Sequence, residues 1–281
     1  MKLGCFQSNQ GLQQLEFQAF IEQAAQLGYG AIDIPLNVPG AASAVRKLGM
    51  AVNSLGALVL PDLSREDVYL EEMAHRVMAA VDSAADQQVP TITTLIGRAP
   101  GLTGDDNIAI FRELFTSLAA HAERRGVKFA FENWPRGGTM LSTTPELWDA
   151  MFTAVPSPAL GLCYDPSHLL WQGIEYIQPI YDFGDRIYHA HAKDTEIVLH
   201  ARNRYGIYGR QISTTKDEDW WRYRLPGYGE VNWYRYLDAL IQVGYDAVIS
   251  VEHEDPVWSD TPELALRGLR LAHAYLTPLM V

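Results

Sequence analysis

The stretch "NIAIFRELFTSLAAHAERRGVKFAFEN", residues 107–133, contains the structural unit from which this chain is built. Its first twenty residues carry apolar side chains three or four positions apart, which is the spacing of an amphipathic helix. Gly126 is expected to end that helix, because glycine readily adopts the conformation of a helix C-cap. The apolar run that follows predicts a buried strand that ends in Glu132.

The same alternation of strand and helix recurs along the whole chain. Helix-length amphipathic stretches such as 70–87 separate the apolar runs, and polar caps followed by proline begin helices in "TTPEL" (143–147) and "SDTPEL" (259–264). Eight such units favour parallel strands that close into a barrel. We therefore predict an α/β protein with one domain, residues 1–281, folded as a single (β/α)8 TIM barrel. The other predicted strands are 3–6, 31–35, 51–59, 90–96, 159–165, 186–194 and 247–255.

One segment departs from this alternation. From Ile197 to Pro226, after the seventh predicted strand, the chain is rich in Arg, Tyr and Trp and has no clear helical period. We predict a long loop there, at the mouth of the barrel where catalytic residues collect. Two roles stay open for its "WWRYR" stretch, 220–224: a lid over a bound substrate, or a contact with a second subunit of a homo-oligomer.

Composition excludes several classes of function. The chain has 22 basic and 34 acidic residues and a formal net charge of -12, which argues against a nucleic-acid partner. Its two cysteines are too few for a disulfide framework or a thiolate metal cluster. No apolar run reaches the roughly 18 residues of a membrane span, and the N-terminus lacks the apolar region of a signal peptide. We expect a cytoplasmic protein.

Four successive predicted strands end in, or carry, a metal-ligand type of residue: Glu132, Asp165, His191 and Glu252. Any one of them alone is better explained as a helix cap or an ion-pair partner. Together they belong at one rim of the barrel, where three carboxylates would repel one another unless a cation lies between them. Carboxylates with one imidazole and no sulfur suit Mn²⁺, Mg²⁺ or Co²⁺, and Zn²⁺ is also compatible. The set predicts a site for one divalent metal ion.

Each of three residues near these four has two alternative roles. His189 shares the face of His191 and is better read as a hydrogen-bond partner of a metal site than as a ligand. Lys193 is either a substrate contact or an ion-pair partner of Asp194 or a nearby carboxylate. Trp134 either lines a sugar site or packs under the mouth of the barrel.

The region around Glu252 and the "DPSH" stretch complete the candidate set. Glu254 shares the face of Glu252, whereas His253 should point outward toward a helix. Ser167 and His168 are adjacent, but no Gly-x-Ser-x-Gly elbow accompanies them, so a serine nucleophile is rejected. The chain also lacks a glycine fingerprint for phosphates, and no nucleotide cofactor is expected.

Five motifs carry a resemblance to a known family. They are "FENWP" around Glu132, "YDPSH" at 164–168, "HAHAKD" at 189–194, "LPGYGEVNW" at 225–233 and "VEHED" around Glu252. With them the chain resembles the xylose-isomerase-like TIM-barrel superfamily, in particular its sugar phosphate isomerase/epimerase branch. That branch includes ketose 3-epimerases, inosose dehydratases and inosose isomerases.

The resemblance implies roles for individual residues. Glu132, Asp165, His191 and Glu252 would bind one divalent metal, and Glu132 and Glu252 would also be the acid/base pair on opposite faces of the substrate. His168 matches the position of a substrate-contacting histidine. The arginine that follows the metal histidine in some ketose epimerases is missing, since 195–199 reads "TEIVL"; Arg202, Arg204 and Arg210 are the candidate replacements. The related abasic-site endonucleases have extra histidines for a three-metal site, and these histidines are also missing here. Their absence argues against nuclease activity.

The predicted chemistry begins with a metal-bound sugar whose carbonyl is polarised by the ion. A carboxylate then removes the proton from the neighbouring carbon, giving a metal-stabilised ene-diolate. We predict an isomerase or epimerase of an unphosphorylated or keto-oxidised sugar or polyol. The alternative is a lyase that dehydrates an inosose or keto-sugar, and a third reading is a carbohydrate-binding barrel without turnover.

Overall fold

The computed structural model describes residues 1–60, 67–99, 101–209 and 220–280. Parallel strands close into a barrel in the order β1-β10-β7-β6-β5-β4-β3-β2. Strands β8 and β9 form a separate antiparallel pair. The strands are β1 (Lys2–Cys5), β2 (Ala31–Pro35), β3 (Ala51–Leu60), β4 (Thr91–Ile96), β5 (Lys128–Glu132), β6 (Leu160–Tyr164), β7 (Ile187–Ala192), β8 (Asp194–Ile197), β9 (Trp221–Arg224) and β10 (Val248–Val251). The predicted (β/α)8 TIM barrel is confirmed.

Helices separate consecutive barrel strands, and the amphipathic stretches of the sequence account for the longer ones. They are α1 (Gln10–Gln13), α2 (Phe17–Leu27), α3 (Ala41–Lys47), α4 (Asp67–Asp86), α5 (Gly104–Arg125), α6 (Pro145–Ala154), α7 (Pro166–Gln172), α8 (Gln178–Phe183), α9 (Leu199–Tyr205), α10 (Trp233–Gln242) and α11 (Pro262–Leu276). Among the described residues, none of these helices combines the length and hydropathy needed to cross a membrane.

The predicted helix starts and stops are confirmed at their caps. Thr144 and Thr261 accept hydrogen bonds from backbone N–H groups in the first turns of α6 and α11, and proline follows each of them. Gly126, the predicted C-cap, ends α5 in the left-handed conformation with φ of 70°, and Gly28 ends α2 in the same way with φ of 96°.

Packing of α5 on β5 decides which way Glu132 points. Phe129 and Phe131 contact Phe115 of α5, with ring centroids 5.5 and 5.3 Å apart. Because side chains alternate along a strand, Ala130 and Glu132 face the barrel interior. Burial of each phenylalanine contributes about 1.5–3 kcal/mol, which holds the strand in this register and Glu132 at the interior rim.

The prediction of a long loop from Ile197 to Pro226 is not confirmed. Strand β8 follows β7 after a single residue and pairs with β9, from Asp194–Arg224 to Ile197–Trp221, while α9 lies between them. The β9 strand depends on this pairing and on the stacking of Trp221 against Trp171, with ring centroids 4.4 Å apart. Both partners are distant in the sequence, so a search for helical period could not reveal them. Residues 210–219 lie outside the described residues.

Candidate functional site

The four predicted ligand residues come together at one end of the barrel. One donor atom from each of Glu132, Asp165, His191 and Glu252 lies within 4.8 Å of the others, and all four residues are buried. Glu132 ends β5, Asp165 follows β6, His191 belongs to β7 and Glu252 follows β10. The parallel strands thus deliver all four side chains to the carboxyl end of the barrel, as the sequence predicts.

Asp165 is held by three hydrogen bonds, none of which uses its second carboxylate oxygen. Its Oδ1 accepts from the Ser167 N–H at 2.8 Å and so caps α7. Its backbone N–H donates to Asn133 Oδ1 at 2.9 Å, and Asn133 Nδ2 donates to the Asp165 carbonyl at 2.8 Å. Oδ2 lies 3.3 Å from Lys193 Nζ and 3.8 Å from His191 Nδ1.

His191 presents Nδ1 to the carboxylates because its other ring nitrogen has a different neighbour. Nε2 lies 3.4 Å from Cys163 Sγ, which is fully buried. Burial raises the pKa of the Cys163 thiol to about 12, so the sulfur next to Nε2 is neutral. Nδ1 lies 2.8 Å from Glu252 Oε2 and 3.8 Å from Glu132 Oε1. The sequence indicated only a core cysteine at position 163.

The donor set fits a divalent metal ion. Asp165 Oδ2 and His191 Nδ1 are buried without a hydrogen-bond partner among the described residues, although both have charged neighbours. Three carboxylates and one imidazole nitrogen make a hard, anionic donor set without sulfur. Lys193 Nζ lies 3.3 Å from Asp165 Oδ2, and Glu252 Oε2 lies 2.8 Å from His191 Nδ1. Both atoms face the same cluster, as metal ligands would.

Lys193 balances part of the negative charge of this cluster. Its Nζ lies 2.8 Å from Glu252 Oε2, 3.1 Å from Glu254 Oε2 and 3.3 Å from Asp165 Oδ2. Burial by itself would lower the pKa of Lys193, but these carboxylates outweigh it and raise that pKa well above its usual value. Burial would raise the pKa of Glu252, but Lys193 and His191 outweigh it and hold that pKa well below its usual value. Among the described residues, Lys193 thus pairs with nearby carboxylates rather than with Asp194, the other ion-pair partner that the sequence left open.

Asp194 instead fixes the "LPGYGEVNW" segment. A Cβ added at Gly229 would lie 2.3 Å from Asp194 Oδ1 and 2.5 Å from the Thr195 carbonyl, so only glycine fits there. The segment is thereby held against β8, next to Lys193. The two oxygens of Asp194 accept hydrogen bonds of 2.8–3.0 Å from the backbone N–H groups of Thr195, Gly227 and Val231 and from Trp233 Nε1.

His168 connects the β8–β9 pair to Glu132. Its ring is fully buried, with Nε2 3.3 Å from Glu132 Oε1 and Nδ1 3.0 Å from the Tyr223 hydroxyl. The Tyr223 ring also lies under the ammonium of Lys193, at 4.4 Å from its centroid. The sequence marked the stretch 220–224 but gave Tyr223 no role of its own, because its contacts depend on the unpredicted strand β9.

A cavity of about 350 Å³ opens beside the four-residue cluster, a size usual for small-molecule sites. Lys193 and Trp134, for each of which substrate contact is one of two predicted roles, line it, whereas His168 is not among the described lining residues. Arg202 and Arg204 are exposed on α9 and do not line it, and Arg210 lies outside the described residues. Its wall combines the charged residues Asp33, Glu132, His191, Lys193, Glu252 and Glu254 with apolar residues that include Phe6, Phe17, Ile34 and Leu95.

The two residues after Glu252 in the "EHE" stretch point in opposite directions, as predicted. Glu254 lines the cavity together with Glu252. His253 packs outward against α11, where a Cβ added at Gly268 would lie 2.3 Å from its Nε2. Burial lowers the pKa of His253 to about 4, so the imidazole is neutral.

His189 takes part in a second cluster that the sequence analysis missed. Its Nε2 lies 2.9 Å from Asp33 Oδ2, and its Nδ1 lies 2.9 Å from Asn53 Nδ2. Both ring nitrogens are therefore engaged away from the four-residue cluster, although the ring is 5.2 Å from that of His191. An acidic residue in the middle of the apolar strand "AIDIP" (31–35) was the available signal.

The barrel and its carboxylate–histidine cluster define the chain as a TIM barrel with a candidate metal centre at the carboxyl ends of its strands. The model of the xylose isomerase-like TIM barrel family matches residues 21–275. The chain therefore belongs to that family, and the predicted resemblance is confirmed.

Curated relatives include the protein YfiH and several inosose dehydratases. YfiH of Bacillus subtilis (strain 168) is 30% identical over 191 residues, which cover 65% of this chain and 58% of that protein. An inosose dehydratase of Geobacillus thermodenitrificans is 24% identical over 201 residues, covering 71% of this chain and 65% of that enzyme. The matches thus span less than two thirds of the length of either relative.

Solved structures show the same fold. The IolI protein with a bound zinc atom superposes with a TM-score of 0.74 at 21% identity, covering 99% of this chain and 98% of that one. D-Psicose 3-epimerase from Clostridium cellulolyticum H10, solved with D-tagatose, superposes with a TM-score of 0.77 at 14% identity, covering 100% and 99%. Family members thus include enzymes, among them epimerases and inosose dehydratases.

Proposed function

We propose that this protein is a divalent-metal-dependent isomerase or epimerase of an unphosphorylated sugar or polyol. The observation that carries the proposal is the cluster of Glu132, Asp165, His191 and Glu252, whose donor atoms lie within 4.8 Å of one another beside a sugar-sized cavity. These four residues would hold one metal ion. When bound, a divalent ion supplies Lewis-acid polarisation of a substrate carbonyl. The zinc in IolI supports this assignment, and Mn²⁺, Mg²⁺ and Co²⁺ suit the same donor set.

Glu132 and Glu252 are the proposed proton carriers. Both line the cavity, and they come from strands that are three places apart around the barrel, so they approach a bound substrate from different sides. Glu252 is adjacent to the Lys193 ammonium, whereas Glu132 is adjacent to the His168 ring. His168, which resemblance alone would place against substrate, orients Glu132 in this proposal, because its buried ring contacts that carboxylate.

The proposed reaction begins with the transfer of one proton and two electron pairs. One carboxylate takes the proton from the carbon next to the carbonyl. The electrons of that C–H bond form a carbon–carbon double bond, and the carbonyl π pair moves to oxygen, giving the anion of an ene-diol. For isomerisation, a proton is delivered to the former carbonyl carbon and the hydroxyl proton of the neighbouring carbon moves to the former carbonyl oxygen, so that the new carbonyl forms at the neighbouring carbon. For epimerisation, the opposite carboxylate delivers a proton to the other face of the original carbon, and the carbonyl forms again.

The charge of the cavity wall favours an uncharged substrate. Among the described lining residues, Asp33, Glu132, Glu252 and Glu254 are acidic, Lys193 is the one lysine, and arginine is absent. A phosphate group would meet this negative wall at close range in a site of low dielectric constant. Trp134 offers an aromatic surface for the apolar face of a sugar ring.

A dehydratase is the second candidate, and Lys193 is the observation that favours it. Loss of a β-hydroxyl as water needs an acid near the leaving oxygen, and the Lys193 ammonium lines the same cavity. The match to inosose dehydratases supports the same reading. Product analysis separates the two candidates, because only the dehydratase releases water.

The test is proton exchange in D₂O. Mn²⁺-loaded protein is incubated with D-tagatose, D-psicose, D-fructose and inososes, and NMR follows deuterium uptake next to the carbonyl. We expect metal-dependent exchange with at least one of them, abolished in Glu252→Gln and Glu132→Gln and retained in the exposed control Glu113→Gln. Full turnover in both active-site variants would refute the proposed roles, and no exchange with any compound by metal-loaded protein would count against the reaction.

A further inference from the structure

Asp33 lies across the barrel from most of the candidate metal ligands. Strand β2 is four places from β6 around the barrel and three from β5 and β7. Asp33 nevertheless lines the same cavity as Glu132 and Glu252. A ligand that fills this cavity therefore meets the four-residue cluster at one side and Asp33 at another.

Two residues from other strands of the barrel, His189 of β7 and Asn53 of β3, fix the orientation of this carboxylate. Asn53 Nδ2 donates to His189 Nδ1, so the ring carries its proton on Nε2 and donates it to Asp33 Oδ2. Both bonds are 2.9 Å long. The imidazole is fully buried, and its contacts leave little freedom to rotate. Asp33 is thus positioned by a chain of hydrogen bonds that does not include any of the four candidate ligands.

The second oxygen of Asp33 is left without a partner. Asp33 is only 8% exposed, and its Oδ1 has no hydrogen-bond partner among the described residues. A buried carboxylate oxygen without a donor is costly, and proteins keep such atoms mainly where a ligand or solvent satisfies them. Asp33 lines the cavity, so a group of the bound ligand is the donor that we test for.

We propose that Asp33 is a specificity-determining residue that accepts a hydrogen bond from a hydroxyl group of the bound sugar or polyol, away from the reacting carbon. A carboxylate only accepts hydrogen bonds, so this position selects a free hydroxyl and rejects a carbonyl, carboxylate or phosphate group. The inference rests on the proposed substrate class and extends it, since it assigns the residue that reads the far end of the substrate. His189 and Asn53 are positioning residues for Asp33.

Equilibrium binding of unreactive polyols tests this directly. Calorimetry on Mn²⁺-loaded protein measures the Kd for myo-inositol and xylitol in the parent, Asp33→Asn, Asp33→Ala and the control Asp238→Asn, which makes the same charge change at an exposed position. We expect binding of at least one polyol, at least tenfold weaker in both Asp33 variants and unchanged in the control. Metal content and melting temperature are measured on every variant and should stay at the parental values.

Two results would overturn the proposal: no binding of either polyol by the parent, or equal Kd values in the parent and the folded Asp33 variants. If the variants do not fold, the Kd of the parent protein is measured for analogues of the bound polyol that each lack one hydroxyl. Loss of the hydroxyl that donates to Asp33 must weaken binding at least tenfold. Asn53→Ala should weaken binding less than Asp33→Ala does. Because the polyols lack a carbonyl, this result is independent of turnover: intact polyol binding without enolisation would reject the reaction and retain the role of Asp33.

Discussion

Lys193 Nζ lies 2.8 Å from Glu252 Oε2 at the centre of a cluster of buried carboxylates. The ammonium therefore compensates negative charge that a divalent ion would also compensate. With both the Lys193 ammonium and a divalent ion present, each of them compensates only part of the carboxylate charge. Mutation of Lys193 and removal of the metal separate the two contributions.

Lys193→Met should make stability depend more strongly on metal. Removal of one partner of a buried ion pair commonly costs about 3–5 kcal/mol, and the carboxylates of Glu252, Glu254 and Asp165 lose their common partner. We expect EDTA to lower the melting temperature of this variant more than that of the parent. The exposed Lys47→Met is the control. Equal EDTA effects on all three proteins would show that Lys193 and a metal do not share these carboxylates.

Tyr223→Phe should slow turnover without unfolding the protein. The variant removes the hydroxyl that contacts His168 Nδ1, and His168 in turn contacts Glu132. Loss of one such hydrogen bond corresponds to a decrease in kcat of about two- to tenfold. The rate of deuterium exchange measures it, with Tyr181→Phe as an exposed control. A change confined to KM would mean that Tyr223 contacts substrate rather than the Glu132 side of the site.

Gly229→Ala should destabilise the fold, whereas Gly104→Ala should not. An added Cβ at Gly229 meets Asp194 Oδ1 at 2.3 Å, while one at Gly104 meets nothing within 4 Å. Overpacking of this kind costs about 1–3 kcal/mol, and chemical denaturation measures the change in the free energy of unfolding. Equal stability of the two variants would contradict the role assigned to Asp194 in holding the "LPGYGEVNW" segment.

Local patterns were enough to predict the barrel and the convergence of the four candidate ligands. Alternation along β5 turns Phe129 and Phe131 toward α5 and Glu132 inward, and that information is contained in five consecutive residues. The carboxyl ends of parallel strands share one rim, so neighbouring strand ends such as those of β5 and β6 were correctly expected to meet.

The contacts that escaped prediction join residues far apart in the chain. His189 and Asp33 are separated by 156 positions, and His189 and Asn53 by 136. Only the closure of the barrel brings them together, and no periodic pattern encodes that pairing. Strand β9 was missed for the same reason, because it exists through its pairing with β8 and its contact with Trp171.

Anomalous diffraction from crystals of the Mn²⁺-loaded protein is the most direct test of the candidate metal centre. The account predicts one strong manganese peak per chain, within bonding distance of Glu132, Asp165, His191 Nδ1 and Glu252, and its loss in Asp165→Asn crystals. A peak elsewhere in the chain, or no peak at saturating Mn²⁺ with the four side chains arranged as they are here, would contradict it.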